Sequence, residues 1–255
     1  MTNGSGAITS NYVLLTGASS GIGRELAIQM SQENQLILGG RDSIRLNETR
    51  LSCCAPEKHI IWQFDLSLVD QLASSISALL AAENARVSAF VHCAAVLKIL
   101  PLKSLPIGQT LEMFNINFFS AMELTAALMK KKINDRQLRS IVFISSIASN
   151  FGARGFSAYS ASKGALDSLM RSLAVELAPE VRANSVLPGG VRTRMTDKIF
   201  EETEMRAKFE RDYPLGIGEA MDIVNAVEFL VSEKSRWITG QQIVVDGGRT
   251  TNITA

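Results

Sequence analysis

Seven short runs of strand-forming residues, set apart by stretches of helical period, place the tightest limit on what this chain can fold into. They lie at residues 12–16, 35–40, 59–64, 87–92, 139–145, 182–187 and 241–245, and most are nearly continuous in apolar side chains. Continuous apolar runs mark strands buried on both faces, whereas a strand with one wet face alternates. The clearest intervening helix covers 67–83, with Ser67 and Asp70 as a capping-box-like start and Val69, Leu72, Ile76, Leu79 and Leu80 on one side. Strands that alternate with helices in this way predict a doubly wound parallel α/β sheet with helices on both faces.

Composition agrees with one such unit. The 255 residues are 46% hydrophobic and 20% charged, enough apolar content for a sizeable core, and no Pro/Gly/Ser-rich linker or charge run divides them. A single domain over 12–255 is expected, behind a flexible segment over 1–11 rich in Gly, Ser, Thr and Asn. The 26 basic and 25 acidic residues are well mixed and leave a net charge of +1, which excludes the one-signed field that gathers nucleic acid or a membrane surface. Three cysteines, with Cys53 and Cys54 adjacent, make a poor disulfide framework and suit a reduced, cytoplasmic setting. No apolar run approaches the roughly 18 residues of a membrane span. The first segment also lacks the basic start and apolar middle of a signal peptide.

Directly after the first run comes Thr16-Gly17-Ala18-Ser19-Ser20-Gly21-Ile22-Gly23, leading into a helix that carries Leu26, Ala27 and Met30. Glycine lets the backbone turn tightly and approach a pyrophosphate, while the free N–H groups of the helix start face the anion. A bare strand-to-helix turn would use the same residue type, but the position at the first such junction favours a dinucleotide cradle built from Thr16, Gly17, Ser19, Ser20, Gly21, Ile22 and Gly23. The fold that carries such a cradle is the Rossmann fold.

The residue that reads the adenosine ribose is expected near the end of the second strand, where the chain reads Gly39-Gly40-Arg41-Asp42. Arg41 offers a fork of donors to a 2′-phosphate and no carboxylate stands at position 40, so NADP(H) is preferred and NAD(H) remains possible. Asp42 either caps the helix that starts at Ser43 or, in a shifted register, meets the ribose.

Tyr159 and Lys163 stand four residues apart in a helical stretch over 157–178 and so share one face. A nearby cation favours phenolate and draws the tyrosine below its reference of about 10, towards acid–base work at neutral pH. Ser146, at the end of the fifth run, can hydrogen-bond the same substrate oxygen. Alone, a Tyr/Lys pair is ordinary helix surface. Beside a dinucleotide cradle it is what hydride transfer to a carbonyl needs, because the oxygen must gain a proton as the carbon gains hydride.

In these motifs the chain resembles the short-chain dehydrogenase/reductase family in its common form of about 250 residues. The likeness spans nearly the whole chain: the TGxxxGxG loop at 16–23, Asn117 within Phe114-Asn115-Ile116-Asn117, Ser146, the YxxxK of Tyr159 and Lys163, the Pro188-Gly189 turn and the closing Asp246-Gly247-Gly248. It implies a tetrad with Tyr159 as general acid/base, Lys163 tuning it and holding the nicotinamide ribose, Ser146 orienting the carbonyl and Asn117 keeping a water in a proton relay. It further implies cofactor contacts from Asp65 and Leu66 at the adenine, from Ala94, from Pro188 and Gly189, and from Val191 and Thr193 at the carboxamide. Asp65 also reads as a helix cap beside Ser67, and Ser145 is a rival to Ser146. The resemblance implies a homo-oligomer, tetramer or dimer, through helices around 108–131 and 157–178.

One stretch departs from the family. Where Asn-Asn-Ala-Gly is usual after the fourth strand, this chain has His92-Cys93-Ala94-Ala95. With only His59 as a second histidine and no CxxC pattern, no metal site is expected, and His92 reads as a buried structural residue, Cys93 as a small core residue.

The sequence thus describes an NADP(H)-dependent oxidoreductase acting on a small-molecule carbonyl or alcohol. A segment over 192–216, with Met195, Ile199, Phe200, Met205 and Phe209, suggests a substrate cover, and Leu97, Ile99, Leu100 and Phe151 an apolar wall, although ordinary helix packing produces the same pattern. A similarity to 3-oxoacyl carrier-protein reductases is weakened by Glu180, an acid where an acidic carrier needs a base, though Arg136 and Arg139 lie on another approach. The alternative of a non-catalytic NADP-binding protein predicts a broken tetrad, and all four positions hold the expected residue types.

Overall fold

A computed structural model describes residues 10–193 and 211–252. Most of the 1–11 segment and of the expected cover, including Met195, Ile199, Phe200, Met205 and Phe209, lies outside the described residues. Every strand-like run of the sequence becomes a strand: β1 Ser10–Thr16, β2 Gln35–Gly40, β3 Ile60–Gln63, β4 Ala85–His92, β5 Ser140–Ile144, β6 Arg182–Pro188 and β7 Gln242–Val245. They form one sheet in the order β3-β2-β1-β4-β5-β6-β7, with all neighbours parallel. Chain order reverses between β1 and β4, and Thr16 pairs with His92 where these two strands end. A crevice opens at such a switch point.

The helices are α1 Gly21–Met30, α2 Ser43–Ser52, α3 Leu72–Ala82, α4 Ile107–Phe114, α5 Ser120–Met129, α6 Lys131–Asn134, α7 Ser157–Glu176 and α8 Ala220–Val231. Successive residues of β1 point to opposite faces, so Leu14 joins a core with α3, α5 and α7 while Val13 and Leu15 join one with α1 and α8. This two-sided burial is why the strands read as continuous apolar runs.

Two helical expectations need correction. The capping-box start over Ser67 and Asp70 does not form: Asp65 Oδ1 instead accepts from the Ser67 N–H at 2.9 Å, a short 3₁₀ turn covers Val69–Gln71, and α3 begins at Leu72 without a side-chain cap. Its apolar side is as expected, with Leu72, Ile76 and Leu80 buried and Val69 and Leu79 packed against the same core. The second correction is that the helix expected over 108–131 is interrupted by a π-helical turn, Asn115–Phe119, between α4 and α5. Such turns often mark functional positions, and this one carries Asn117. No helix among the described residues is long and apolar enough to cross a membrane.

Candidate active site

The glycine loop is shaped by close backbone approach. Gly17 has φ +73°, and a Cβ there would stand 2.7 Å from the Ala94 nitrogen, so the loop lies directly on the end of β4. A Cβ on Gly23 would run into the Gly17 carbonyl. Ser20 precedes α1 without a side-chain capping bond, which leaves the first N–H groups of the helix directed at the crevice.

That crevice is a cleft of about 370 Å³. Of the residues expected to bind a cofactor, Gly17, Ser19, Ser20, Gly21, Ile22, Gly23, Arg41, Asp65, Leu66, Ala94 and Thr193 line it. Thr16 stands behind the loop, fully buried, its hydroxyl 3.0 Å from His92 Nδ1 and accepting from the Ala94 N–H at 3.3 Å. Pro188, Gly189 and Val191 do not line this cleft, and neither do Tyr159 and Lys163, which were also expected to touch the cofactor. The Gly189 N–H donates to the Val245 carbonyl, and Val191 is buried in a short parallel bridge with Gly218.

The ribose end is more basic than the sequence reading had it. Arg45 lines the cleft with Arg41, and so does Asp42, whose Oδ1 accepts from the Arg45 N–H at 3.1 Å and caps α2. The missed signal was Arg45's place in the first turn of the helix that leaves β2. Asp65 spends one oxygen on Ser67, and that bond, with a smaller contribution from Arg41, lowers its pKa. Phe64, Cys93, Val96 and Ile116 also face the cleft, and nothing in their types announced it.

Tyr159, Lys163 and Ser146 come together beyond the end of β4. Tyr159 is buried against Phe156 and Met113, and Leu97 of the expected apolar wall packs there too, whereas Ile99 and Phe151 are exposed. Lys163 is 1% exposed, donates from Nζ to the Ile144 carbonyl at 2.7 Å, and lies 5.9 Å from the centre of the Tyr159 ring. Burial pushes the Tyr159 phenol up to about 12, with Ser146 pulling the other way, so the lowered phenol expected from the helix spacing is not what the geometry gives. The same burial brings the Lys163 ammonium down to about 8. The two serines face different ways: Ser145 Oγ is turned into α7 and donates to the Lys163 carbonyl at 3.4 Å, while the Ser146 side chain lies at the Tyr159 phenol.

Asn117 is fully buried, and its amide grips the chain leaving β4: Oδ1 accepts from the Val96 N–H at 2.8 Å and Nδ2 donates to the Val96 carbonyl at 3.0 Å. Nδ2 also donates to Ser162 Oγ at 3.0 Å, one helical turn from Tyr159. The residue thus ties β4 to α7 across the site.

A family model described as "Enoyl-(Acyl carrier protein) reductase" matches residues 17–250. The chain belongs to the short-chain dehydrogenase/reductase family. It is 30% identical to the vibriobactin-specific 2,3-dihydro-2,3-dihydroxybenzoate dehydrogenase of Vibrio cholerae, over 96% of this chain and 97% of that one. It is also 30% identical to the (3R)-3-hydroxyacyl-CoA dehydrogenase of Mus musculus, over 94% and 96% respectively. A solved 4-hydroxyisoleucine dehydrogenase complexed with NADH superposes with a TM-score of 0.88 at 25% identity, covering 95% of this chain and 99% of that one. As a member of this dehydrogenase/reductase family, the chain is an oxidoreductase of alcohol and carbonyl groups.

Against that family background the His92-Cys93 departure has a clear structural form. His92 packs edge-on between Phe90 and Phe143 and bridges to Thr16 of β1, so an imidazole ties these two strand ends where the family usually has amides. Cys93 lines the cleft, and burial pushes its thiol up to about 12, which keeps it neutral.

Proposed function

We propose that this protein transfers hydride between NADP(H) and a small-molecule carbonyl or secondary alcohol, with Tyr159 as general acid and base. The observation that carries the reading is the grouping of the Tyr159 phenol, the Lys163 ammonium and the Ser146 hydroxyl beside Cys93, which itself lines the glycine-loop cleft. The cleft fits a dinucleotide because side-chain-free Gly17 and Gly23 let the loop fold tightly on itself and on the end of β4, where a Cβ would meet backbone, and because helix N–H groups of α1 face an anion there. When bound, the nicotinamide supplies the hydride in reduction and accepts it in oxidation.

The chain's own residues handle the proton. A phenol held protonated by burial is ready to give its proton from Oη to a substrate oxygen, and the phenolate left behind gains stability from the nearby ammonium. Ser146 donates to the same oxygen and fixes the direction from which the proton arrives. Asn117 holds the chain beyond β4 against α7 and is assigned the relay water that returns a proton to the phenol. Arg41 and Arg45, two guanidiniums beside an Asp42 that lines the same cleft but spends one oxygen on the α2 cap, favour a 2′-phosphate and hence NADP(H) over NAD(H). Asp65 and Leu66 would hold the adenine side, and Ala94, Pro188, Gly189, Val191 and Thr193 the nicotinamide side.

The same reading includes a homo-oligomer, tetramer or dimer, supported by the exposed Ile107 and Leu111 on α4, and a cytoplasmic setting, supported by three free cysteines. The test is oxidation of NADPH, with NADH in parallel, over a panel of ketones and aldehydes. Wild type is expected to turn over NADPH with at least one of them, Tyr159→Phe to lose about 10²–10⁴-fold while still binding coenzyme, and Arg41→Ala to lose the preference for NADPH. Tight coenzyme binding without turnover by wild type favours a binding protein instead, and an unchanged preference removes Arg41 from the account.

A further inference from the structure

We propose that Asp167 is the counter-charge of Lys163, a positioning residue one helical turn along α7 that keeps the ammonium protonated inside the site. The inference rests on the role given to Lys163 above and extends it to a carboxylate the tetrad does not include.

Asp167 and Lys163 are each 1% exposed, and both lie on the face of α7 that packs against the sheet with Leu166 and Met170. Residues four apart on a helix are surface neighbours, within about 6 Å between Cβ atoms. Both carboxylate oxygens of Asp167 are buried, and among the described residues neither has a hydrogen-bond partner. An ionised carboxylate without donors is costly to bury unless a cation stands near it. The hydroxyl of Ser185 does not serve, although Ser185 shares a face of β6 with Ala183 of the same core, because its Oγ is likewise buried without a partner. Lys163 makes no hydrogen bond to Asp167 either, its Nζ being bonded to the Ile144 carbonyl, so it serves the carboxylate through charge from one helical turn away.

The other titratable groups around Lys163 bring no negative charge near neutral pH. They are Tyr159 on α7, pushed up to about 12, and at the end of β4 the thiol of Cys93, pushed up to about 12, and the imidazole of His92, brought down to about 3. Burial drives the Lys163 ammonium down to about 8, and Cys93 and Asp167 oppose it. With the thiol neutral, the opposing group left among the described residues is the Asp167 side chain. Removing it lowers the lysine further and takes the ammonium form away at neutral pH.

The test pairs a pH profile with a stability cycle. In Asp167→Asn, which keeps the side-chain shape, the alkaline limb of kcat/KM is expected to move to lower pH by about one unit, the effect of removing a partly screened charge one helical turn away. The second measurement needs no substrate. Lys163→Met is expected to melt below wild type because it strands the carboxylate, and adding Asp167→Asn is expected to recover part of that loss. An Asp167→Asn limb that coincides with wild type overturns the proposal, as does a double variant that melts no higher than Lys163→Met. The stability cycle decides the matter even if no carbonyl substrate is found, so failure of the pairing and failure of the proposed reaction are told apart.

Discussion

His92 shows how one buried side chain makes the whole fold sensitive to acid. Its imidazole is 0% exposed, bonded through Nδ1 to Thr16, and brought down to about 3 by burial first and by the Lys163 charge second. In the unfolded chain a histidine takes up its proton near its reference of about 6.5. Between those two values the unfolded state binds more protons than the native one, so stability rises with pH across the window and is lost as pH falls through it. From neutral pH to about pH 4 this residue is expected to remove about 3 kcal/mol of stability. Urea unfolding of wild type and His92→Asn at both pH values checks this: the variant should lose less on acidification, and parallel losses would assign the acid sensitivity to other groups. The residue type at position 92 was visible in the sequence as a departure from Asn; its bond to Thr16 was not, because that requires the register of β1 against β4.

At the scale of the element, the π-helical turn between α4 and α5 is what aims Asn117 inward. The amide makes three bonds, two to the Val96 backbone and one to Ser162, and so fastens the chain after β4 to the helix that bears Tyr159 and Lys163. Asn117→Ala leaves the buried polar groups of Val96 unmatched and is expected to cost about 2–3 kcal/mol, read from chemical denaturation. A loss of a few tenths would show that the turn is held by its apolar neighbours alone. Elements differed in how plainly they could be read. Strands doubly buried by helices are continuous apolar runs, and α7 carried its YxxxK on a clean helical stretch. The start of α3 was misread because Asp65, two residues before Ser67, competes for the role of cap, and the π turn has no signature in residue types that tells it from a plain helix. Asp167 was equally hidden: its spacing from Lys163 can be counted, but its burial without donors follows only from how α7 lies on the sheet.

Across the whole molecule, function follows from where the sheet reverses its winding order. β1 brings the glycine loop and β4 brings Cys93 and Ala94 to one crevice, while β5 and α7 bring Ser146, Tyr159 and Lys163 together on the far side of Cys93. Glycine spacing and YxxxK made both halves legible in the sequence, since each rests on local backbone geometry. Their meeting depends on the parallel order of β1, β4 and β5, and so do Arg45 and Cys93 as cleft residues. The account therefore turns on whether a phenol on α7 completes a transfer begun in a cleft formed by β1 and β4. The direct measurement supplies NADPH deuterated at the transferring position and a ketone that the wild type reduces, and reads the product by mass spectrometry. Deuterium on the carbinol carbon of the wild-type product, with label incorporation by coenzyme-binding Tyr159→Phe reduced about 10²-fold or more, is the predicted result. Labelled alcohol formed at the wild-type rate by the phenylalanine variant would contradict it.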